Sequence, residues 1–470
     1  MAKSKTIYVC EECGHETSGW LGRCPSCSAW NSFHAIKETT SRPSGGHTGS
    51  WLSSESSAES AEVIDLSRMA AAEVRRAPTG ISELDRVLGG GLVPGSLILL
   101  GGDPGIGKST LALEIIGGLP EGKTLYVSGE ESAAQIKMRC ERLGLGDRSL
   151  PLLTTTDFSA IEAILREQKP AVAVVDSIQT VYAANLPAAP GTVTQVREAT
   201  MGFLRLAKSE GITILLTGHV TKEGSIAGPR ILEHMVDTVL YFEGEKESPL
   251  RILRCVKNRF FSTEEIGIFE MTENGLISVD KATSLFLDGK PQHAAGSVVT
   301  AILEGTRPLL IELQALSVSS GYGTPIRMAQ GVDRARLMML IAVAGKKTNL
   351  DFSTLDTYIN VTGGMKIRGT SADLAILAAL LSSVRDEPPA QEAIIIGEVG
   401  LTGEVRSVGR IQDCLEDAFR AGWSRFVVPA SARQKLRGFE QNRGVRVYYV
   451  SELNEAFDLL FSHTAEECRK

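Results

Sequence analysis

The stretch GDPGIGKST, Gly102 to Thr110, decides how the rest of the chain is read. It satisfies the pattern G-x-x-x-x-G-K-[ST] and lies between an apolar run, GSLILLG, and a helix-forming run, STLALEII. A strand, a glycine-rich loop and a helix start, in that order, turn successive backbone N–H groups toward phosphate oxygens. The predicted nucleotide-binding residues are Gly102, Asp103, Pro104, Gly105, Ile106, Gly107, Lys108, Ser109 and Thr110. The three glycines let the backbone wrap the phosphates. Lys108 is expected at the β and γ phosphates, and the Ser109 hydroxyl at a magnesium ion. ATP and Mg²⁺ are the cofactors this loop predicts.

The flanking sequence repeats the same logic. KTLYVSG, PAVAVVDS and ITILLTGH are short apolar runs of the kind buried on both faces of a sheet. SAAQIKMRCERLG and FSAIEAILREQ alternate with them as helices. The alternation predicts an α/β fold with a parallel sheet and crossover helices. Asp176 ends the run AVAVVD, where a carboxylate can hold Mg²⁺ through water; the plainer reading is a helix-capping Asp before Ser177. Glu130 and Glu131 follow the next strand, and Glu130 is the expected base or water-orienting group, with Glu131 the alternative. His219 closes ITILLTGH and is either a γ-phosphate sensor, relaying to the loop after it, or a structural histidine.

At 470 residues the chain calls for several domains. Its net charge of −7 names no partner, because a nucleic-acid footprint is a local basic patch. No run of 18 or more apolar residues predicts a membrane span, and MAKSKTIYVCEECG lacks the apolar core of a secretory signal, so the expected location is cytoplasmic. Cys10-x2-Cys13 and Cys24-x2-Cys27 pair two CxxC knuckles, the donor set of a tetrahedral Zn²⁺ site. Such a short module buries little, so the metal is expected to hold it together. The Ser/Thr/Gly-rich segment after it reads as a tether. The predicted division is a zinc module over 1–35, a flexible linker over 36–62, an ATPase domain over 63–285 and a second α/β domain over 286–470.

PTGISELDRVLGGGLVPGSLILLGGDPGIGKST resembles the opening of a RecA-like ATPase core. The four-cysteine knuckle before it and VKNRFFSTEEIG, Val256 to Gly267, after it narrow the resemblance to the RadA (Sms) family of bacterial DNA-repair proteins. That resemblance implies a zinc finger, a RecA-like ATPase and a Lon-protease-like C-terminal domain. It also implies a homo-hexameric, DnaB-like motor that acts on single-stranded or branched DNA with the RecA recombinase. Lys257 and Arg259 match the family's Lys-Asn-Arg-Phe-Gly motif and are expected to reach a neighbouring subunit's γ-phosphate. Both are placed on the apparent strand LRILRCVKNRFF, facing the same way. Phe261 replaces the motif's glycine and removes a position free to take positive φ.

The C-terminal block resembles the Lon protease domain, with Ser371 of GTSAD at the nucleophile position. The activating lysine of that family falls at Gln412, whose amide cannot accept the proton, and the Lon-type turn ends differently, in Asp373. Proteolysis is therefore not expected. Arg327, Arg334, Arg336, Lys346 and Lys347 are the predicted DNA-contacting cations, against the plainer reading of a solvated face. The favoured function is a DNA-dependent ATPase motor. An ATP-dependent serine protease and a KaiC-like regulatory ATPase are the alternatives.

Overall fold

A computed structural model describes residues 5–10, 16–17, 19–25, 30, 33–38, 76–219, 230–244, 248–279, 286–287, 289–321, 323–348, 351–441 and 443–461. The predicted linker, apart from residues 36–38, and the loop 220–229 lie outside these residues. At the N-terminus, β1 (Lys5–Cys10) pairs antiparallel with β2 (Glu16–Thr17) and with β3 (Phe33–Glu38). The chain divides into two compact units, the first including these N-terminal strands. One runs to Phe242 and takes in Cys255–Ser262 and Glu273–Leu276. The other comprises Glu243–Arg254, Thr263–Thr272 and everything from Ile277 onward.

In the first unit the apolar runs are the strands of a parallel sheet. They are β4 (Leu97–Gly102), β5 (Thr124–Ser128), β6 (Leu152–Thr154), β7 (Val172–Asp176), β8 (Thr213–His219) and β9 (Thr238–Glu243). Parallel pairing gives the order β9-β4-β8-β7-β5-β6. Every residue of β4 and β5 is buried, as strands covered by helices on both faces require. The crossover helices start where the sequence supplies caps. Ser132 accepts from the Gln135 amide in a capping box, and the Asp157 carboxylate accepts from the Ser159 amide at 3.0 Å. Gly202, in helix Val193–Glu210, lets Phe158 pack against the backbone; a Cβ there would lie 2.2 Å from the Phe158 ring. Phe158 in turn meets Phe203 edge to face, centroids 5.1 Å apart.

The second unit holds the antiparallel pairing of β10 (Leu250–Asn258) with β11 (Ile266–Thr272), over Leu250–Arg254 and Ile266–Glu270. After the short β12 (Gly275–Ser278) of the flanking segment comes a seven-stranded mixed sheet. Its strands are β13 (Ser297–Glu304), β14 (Arg307–Ser319), β15 (Arg327–Gln330), β16 (Leu355–Val361), β17 (Ile394–Ile395), β20 (Arg425–Pro429) and β21 (Arg446–Val450). The intervening β18 (Glu398–Val399) and β19 (Val405–Arg406) pair only with each other. The order is β15-β16-β14-β13-β17-β20-β21. Residue parity on β13 and β14 divides the core. Val298, Ile302, Leu309 and Ile311 join one cluster with the buried helix Asp373–Arg385. Val299, Ala301 and Leu310 join another with helices Ile411–Arg420 and Arg433–Glu440. The sheet is thus covered on both faces.

Candidate active site

The glycine loop is built by β4 running directly into helix Lys108–Gly118. Gly105 and Gly107, the helix N-cap, have φ of 78° and 116°, a region open to glycine at little cost. At Gly102 a Cβ would sit 2.7 Å from the Phe242 carbonyl oxygen, while at Gly105 nothing lies within 4 Å, so the loop opens outward there. The first N–H groups of the helix have no carbonyl partner within it, which makes its N-terminus attractive to an anion. Lys108 is only 5% exposed. Its ammonium donates to the carbonyls of Gly102 (2.9 Å) and Asp103 (3.0 Å) and lies 3.2 Å from His219 Nδ1. Burial lowers its pKa, with Asp176 and Glu130 pulling the other way.

Two carboxylates face this lysine from neighbouring strand ends. Asp176 closes β7, opposite Ser128 of β5. Its Oδ2 accepts the Tyr126 hydroxyl at 2.6 Å and its Oδ1 the Thr217 hydroxyl at 2.5 Å. Glu130 accepts a hydrogen bond from Ser177 and lies 3.6 Å from His219 Nε2. The His219 hydrogen bond, with smaller contributions from Ser177 and Lys108 and against the effect of burial, brings the Glu130 pKa down to about 2. Glu130 is therefore ionised throughout the neutral range. Glu131 instead ion-pairs with Arg139. Lys108, Glu130, Asp176 and His219 are thus brought together. Tyr126, Ser177 and Thr217, which fix the two carboxylates, were not among the residues the sequence pointed to. Thr217 left one trace, a polar residue inside an otherwise apolar run. The open glycine cradle, the buried ammonium, the partly buried Ser109 and the strand-end Asp176 fit a nucleoside triphosphate with a divalent cation.

Lys257 and Arg259 make other contacts. Lys257 donates to the carbonyls of Glu233 (2.7 Å) and His234 (3.1 Å), and desolvation, then Arg259, lowers its pKa. Arg259 lies past the end of β10 at Asn258, so strand alternation does not orient it. Its amide donates to the Asp237 carbonyl and its Nε is 3.9 Å from Asp237 Oδ1. Phe261 does not take positive φ; its ring packs at Gly89 with the Arg76 guanidinium 5.5 Å from its centroid. In this conformation the freedom of the missing glycine is unused.

In the second unit Ser371 precedes helix Asp373–Arg385, its carbonyl accepting from the Gly397 amide at 2.9 Å. Gln412 is exposed and donates to Glu416 at 2.9 Å, one turn along its own helix. Asp373 is 1% exposed and takes a bidentate ion pair from Arg336, together with the Val399 amide at 3.1 Å. Arg327 is likewise committed, donating to the Ile326, Phe352 and Leu355 carbonyls. This corrects the expectation that both contact DNA, because their guanidinium groups are spent inside the fold. Arg334, Lys346 and Lys347 are exposed.

Of the cysteine quartet, Cys13 and Cys27 lie outside the described residues. Cys10, at the end of β1, and Cys24 are each 1% exposed and cluster with Phe33 and Tyr8. Among the described residues of this module, two of the three buried side chains are thiols, which suits a thiolate-bound zinc ion.

A glycine loop on the leading strand of a parallel sheet, with carboxylates at adjoining strand ends, defines a P-loop ATPase fold. A family model described as an AAA domain matches residues 65–225. Models of a rubredoxin metal-binding domain and of subunit ChlI of Mg-chelatase match residues 8–35 and 334–432. DNA repair protein RadA of Bacillus subtilis is 46% identical over 97% of this chain and 98% of its own. The RadA proteins of Halalkalibacterium halodurans and Pseudomonas aeruginosa are each 45% identical over 98% of this chain, and over 99% and 100% of their own. A solved KaiC-like protein from Pyrococcus horikoshii covers 44% of this chain and 99% of its own at 22% identity and a TM-score of 0.36, too loose a match to build on. The chain belongs to the RadA family of DNA repair proteins, with a zinc ribbon, a RecA-like ATPase core and a Lon-like C-terminal domain.

Proposed function

We propose that this protein is a DNA-dependent ATPase of DNA repair and homologous recombination. It acts as a hexameric, DnaB-like motor that branch-migrates recombination intermediates together with RecA, in the cytoplasm. The observation that carries the reading is the convergence of Lys108, Asp176, Glu130 and His219 on the glycine loop, in a chain of a DNA-repair family. Bound Mg·ATP supplies the phosphoryl group and the free energy of its transfer. Lys108 holds charge at the β and γ phosphates, and Ser109 and Asp176 hold the cation. The Tyr126 and Thr217 hydroxyls fix both Asp176 oxygens, so that carboxylate needs little reorganisation. Glu130, ionised and aimed by Ser177, orients the attacking water. Lys257 and Arg259 act in trans on a neighbouring subunit's nucleotide. In support, Lys257 is bound to backbone carbonyls alone and Arg259 is exposed.

The domains read as a zinc module over 1–35 ligated by Cys10, Cys13, Cys24 and Cys27, a linker over 36–62, the ATPase over 63–285 and a Lon-like domain over 286–470. The last does not cleave peptides, since Gln412 supplies no base to Ser371. ATP-driven strand displacement on a branched DNA substrate tests the motor reading directly. Displacement lost in Lys108→Ala and in Arg259→Ala, and regained when the two are mixed in one ring, supports it. Hydrolysis without any displacement favours the KaiC-like regulatory alternative.

A further inference from the structure

Arg76 joins two segments of the first unit that lie 184 residues apart. Its Nη1 donates to the Leu88 carbonyl, and its Nη2 donates to the Phe260 carbonyl at 2.8 Å. Leu88 ends helix Ser82–Leu88, where the last carbonyls have no partner within the helix. A guanidinium there satisfies one of them and complements the helix dipole. The same guanidinium lies 5.5 Å from the centroid of the Phe261 ring. That ring rests on Gly89, the helix C-cap, where a Cβ would strike it. Among the described residues Arg76 meets no carboxylate; its planar fork is spent on two main-chain oxygens and one ring.

What this clasp holds is the backbone beside Arg259. The Arg259 amide donates to the Asp237 carbonyl at 3.1 Å, and the Phe260 amide donates to Asn258 Oδ1 at 2.9 Å. Lys208 binds Asp237 Oδ2 at 2.7 Å and lies 5.8 Å from the Phe260 centroid. Phe260 is thus held at its amide, its carbonyl and its ring. The Arg259 side chain is 57% exposed, with its Nε 3.9 Å from Asp237 Oδ1. A loosely held guanidinium on a fixed backbone suits an anion that comes from outside the subunit. The chain's own phosphate loop is out of its reach. Asp237 accepts from the Leu97 amide at 3.0 Å, and Leu97 starts β4, whereas the glycine loop leaves the other end of that strand, about 16 Å away and farther than an arginine side chain spans.

We propose that Arg76 is a positioning residue for Arg259. Through the Phe260 carbonyl and the Phe261 ring it fixes the backbone from which Arg259 reaches the nucleotide of a neighbouring subunit. The proposal rests on the in-trans role given to Arg259 above. Phe261, where the motif has glycine, supplies the ring that the guanidinium covers, so the departure anchors the segment instead of freeing it.

The test is steady-state ATP hydrolysis by the full chain with saturating single-stranded DNA. Arg76→Ala should lower kcat by about ten- to a hundredfold, because a small displacement of Arg259 forfeits its contact. The KM for ATP should stay within about twofold, since the glycine loop of the same chain is untouched. Mixing Arg76→Ala with Lys108→Ala should restore turnover, because the Lys108→Ala subunit keeps its clasp and presents Arg259 to its neighbour's intact loop. A packing defect confined to the Arg76→Ala subunit is not repaired by a neighbour. Phe261→Gly, which leaves Arg76 and both carbonyls in place, should lower kcat by about threefold, and Phe261→Tyr should keep it. Recovery when Arg259→Ala is mixed with Lys108→Ala, but not when Arg76→Ala is, overturns the clasp and leaves the in-trans reading standing. Recovery in neither mixture overturns that reading first, and the clasp with it. A kcat at or above wild type in Arg76→Ala makes the clasp dispensable or a brake and also overturns the proposal. Should Arg76→Ala not fold, Phe261→Gly decides alone, an unchanged or raised kcat overturning it.

Discussion

Removing the Arg336 side chain offers a sharp test of how the second unit is held together. Arg336 is 23% exposed and Asp373 1% exposed, and among the described residues the carboxylate's other donor is the Val399 amide. Burial, with a smaller push from Glu398, raises the Asp373 pKa against the pull of Arg336 and the Val399 amide. Arg336→Met would leave that carboxylate buried with one amide for company. Breaking a fully buried pair costs about 3–5 kcal/mol. Water reaches the arginine side, so we expect about 2–3 kcal/mol here. The assay is hydrogen exchange by mass spectrometry on peptides covering helix Asp373–Arg385 and residues 396–399. Their amides should exchange about 30- to 150-fold faster, the same free energy expressed as a ratio. Adding Asp373→Asn should restore at least half of the protection, since the unpaired charge is then gone. Exchange within threefold of wild type in Arg336→Met, or additive losses in the double variant, would refute the reasoning.

Three further outcomes follow from particular contacts. Glu130→Gln should retain nucleotide binding and lose at least about a hundredfold in hydrolysis, measured by equilibrium binding and phosphate release; turnover near wild type would remove Glu130 from the mechanism. Glu114, half-buried and accepting the Leu276 amide at 2.8 Å, has its pKa pushed up to about 7 by desolvation. The folded state therefore holds a proton that the unfolded chain has lost, and stability should fall as pH rises from about 4.5 to 7. Glu114→Gln should flatten that window in urea titrations and add about 1 kcal/mol at pH 8, after discounting for partial exposure. The zinc module should yield about one equivalent of zinc per chain, lost in a Cys10→Ala, Cys24→Ala double variant; full metal content in that variant would place the ion elsewhere.

Much of the nucleotide site was legible because its chemistry is local in sequence. Gly102 to Thr110 is one contiguous loop, and Asp176 and His219 each end an apolar run whose burial on both faces makes it recognisable as a strand. What was not legible is contact between strands. Tyr126 and Thr217 reach Asp176 from 50 and 41 residues away, and nothing on either run separates a clamp from an ordinary buried polar group. Of the adjacent Glu130 and Glu131, only the fold shows that Arg139 claims the second. The Arg336–Asp373 pair spans 37 residues, so a cation expected at DNA proved to neutralise a buried carboxylate. Arg259 was placed by strand alternation, which fails once β10 stops at Asn258.

The most direct measurement of the central claim is steady-state ATP hydrolysis by the full chain with and without single-stranded DNA, beside Lys108→Ala. The account predicts slow turnover alone, a rise of at least about tenfold with saturating DNA, and none in either condition for Lys108→Ala. Turnover that ignores DNA, or that survives the loss of Lys108, would contradict it.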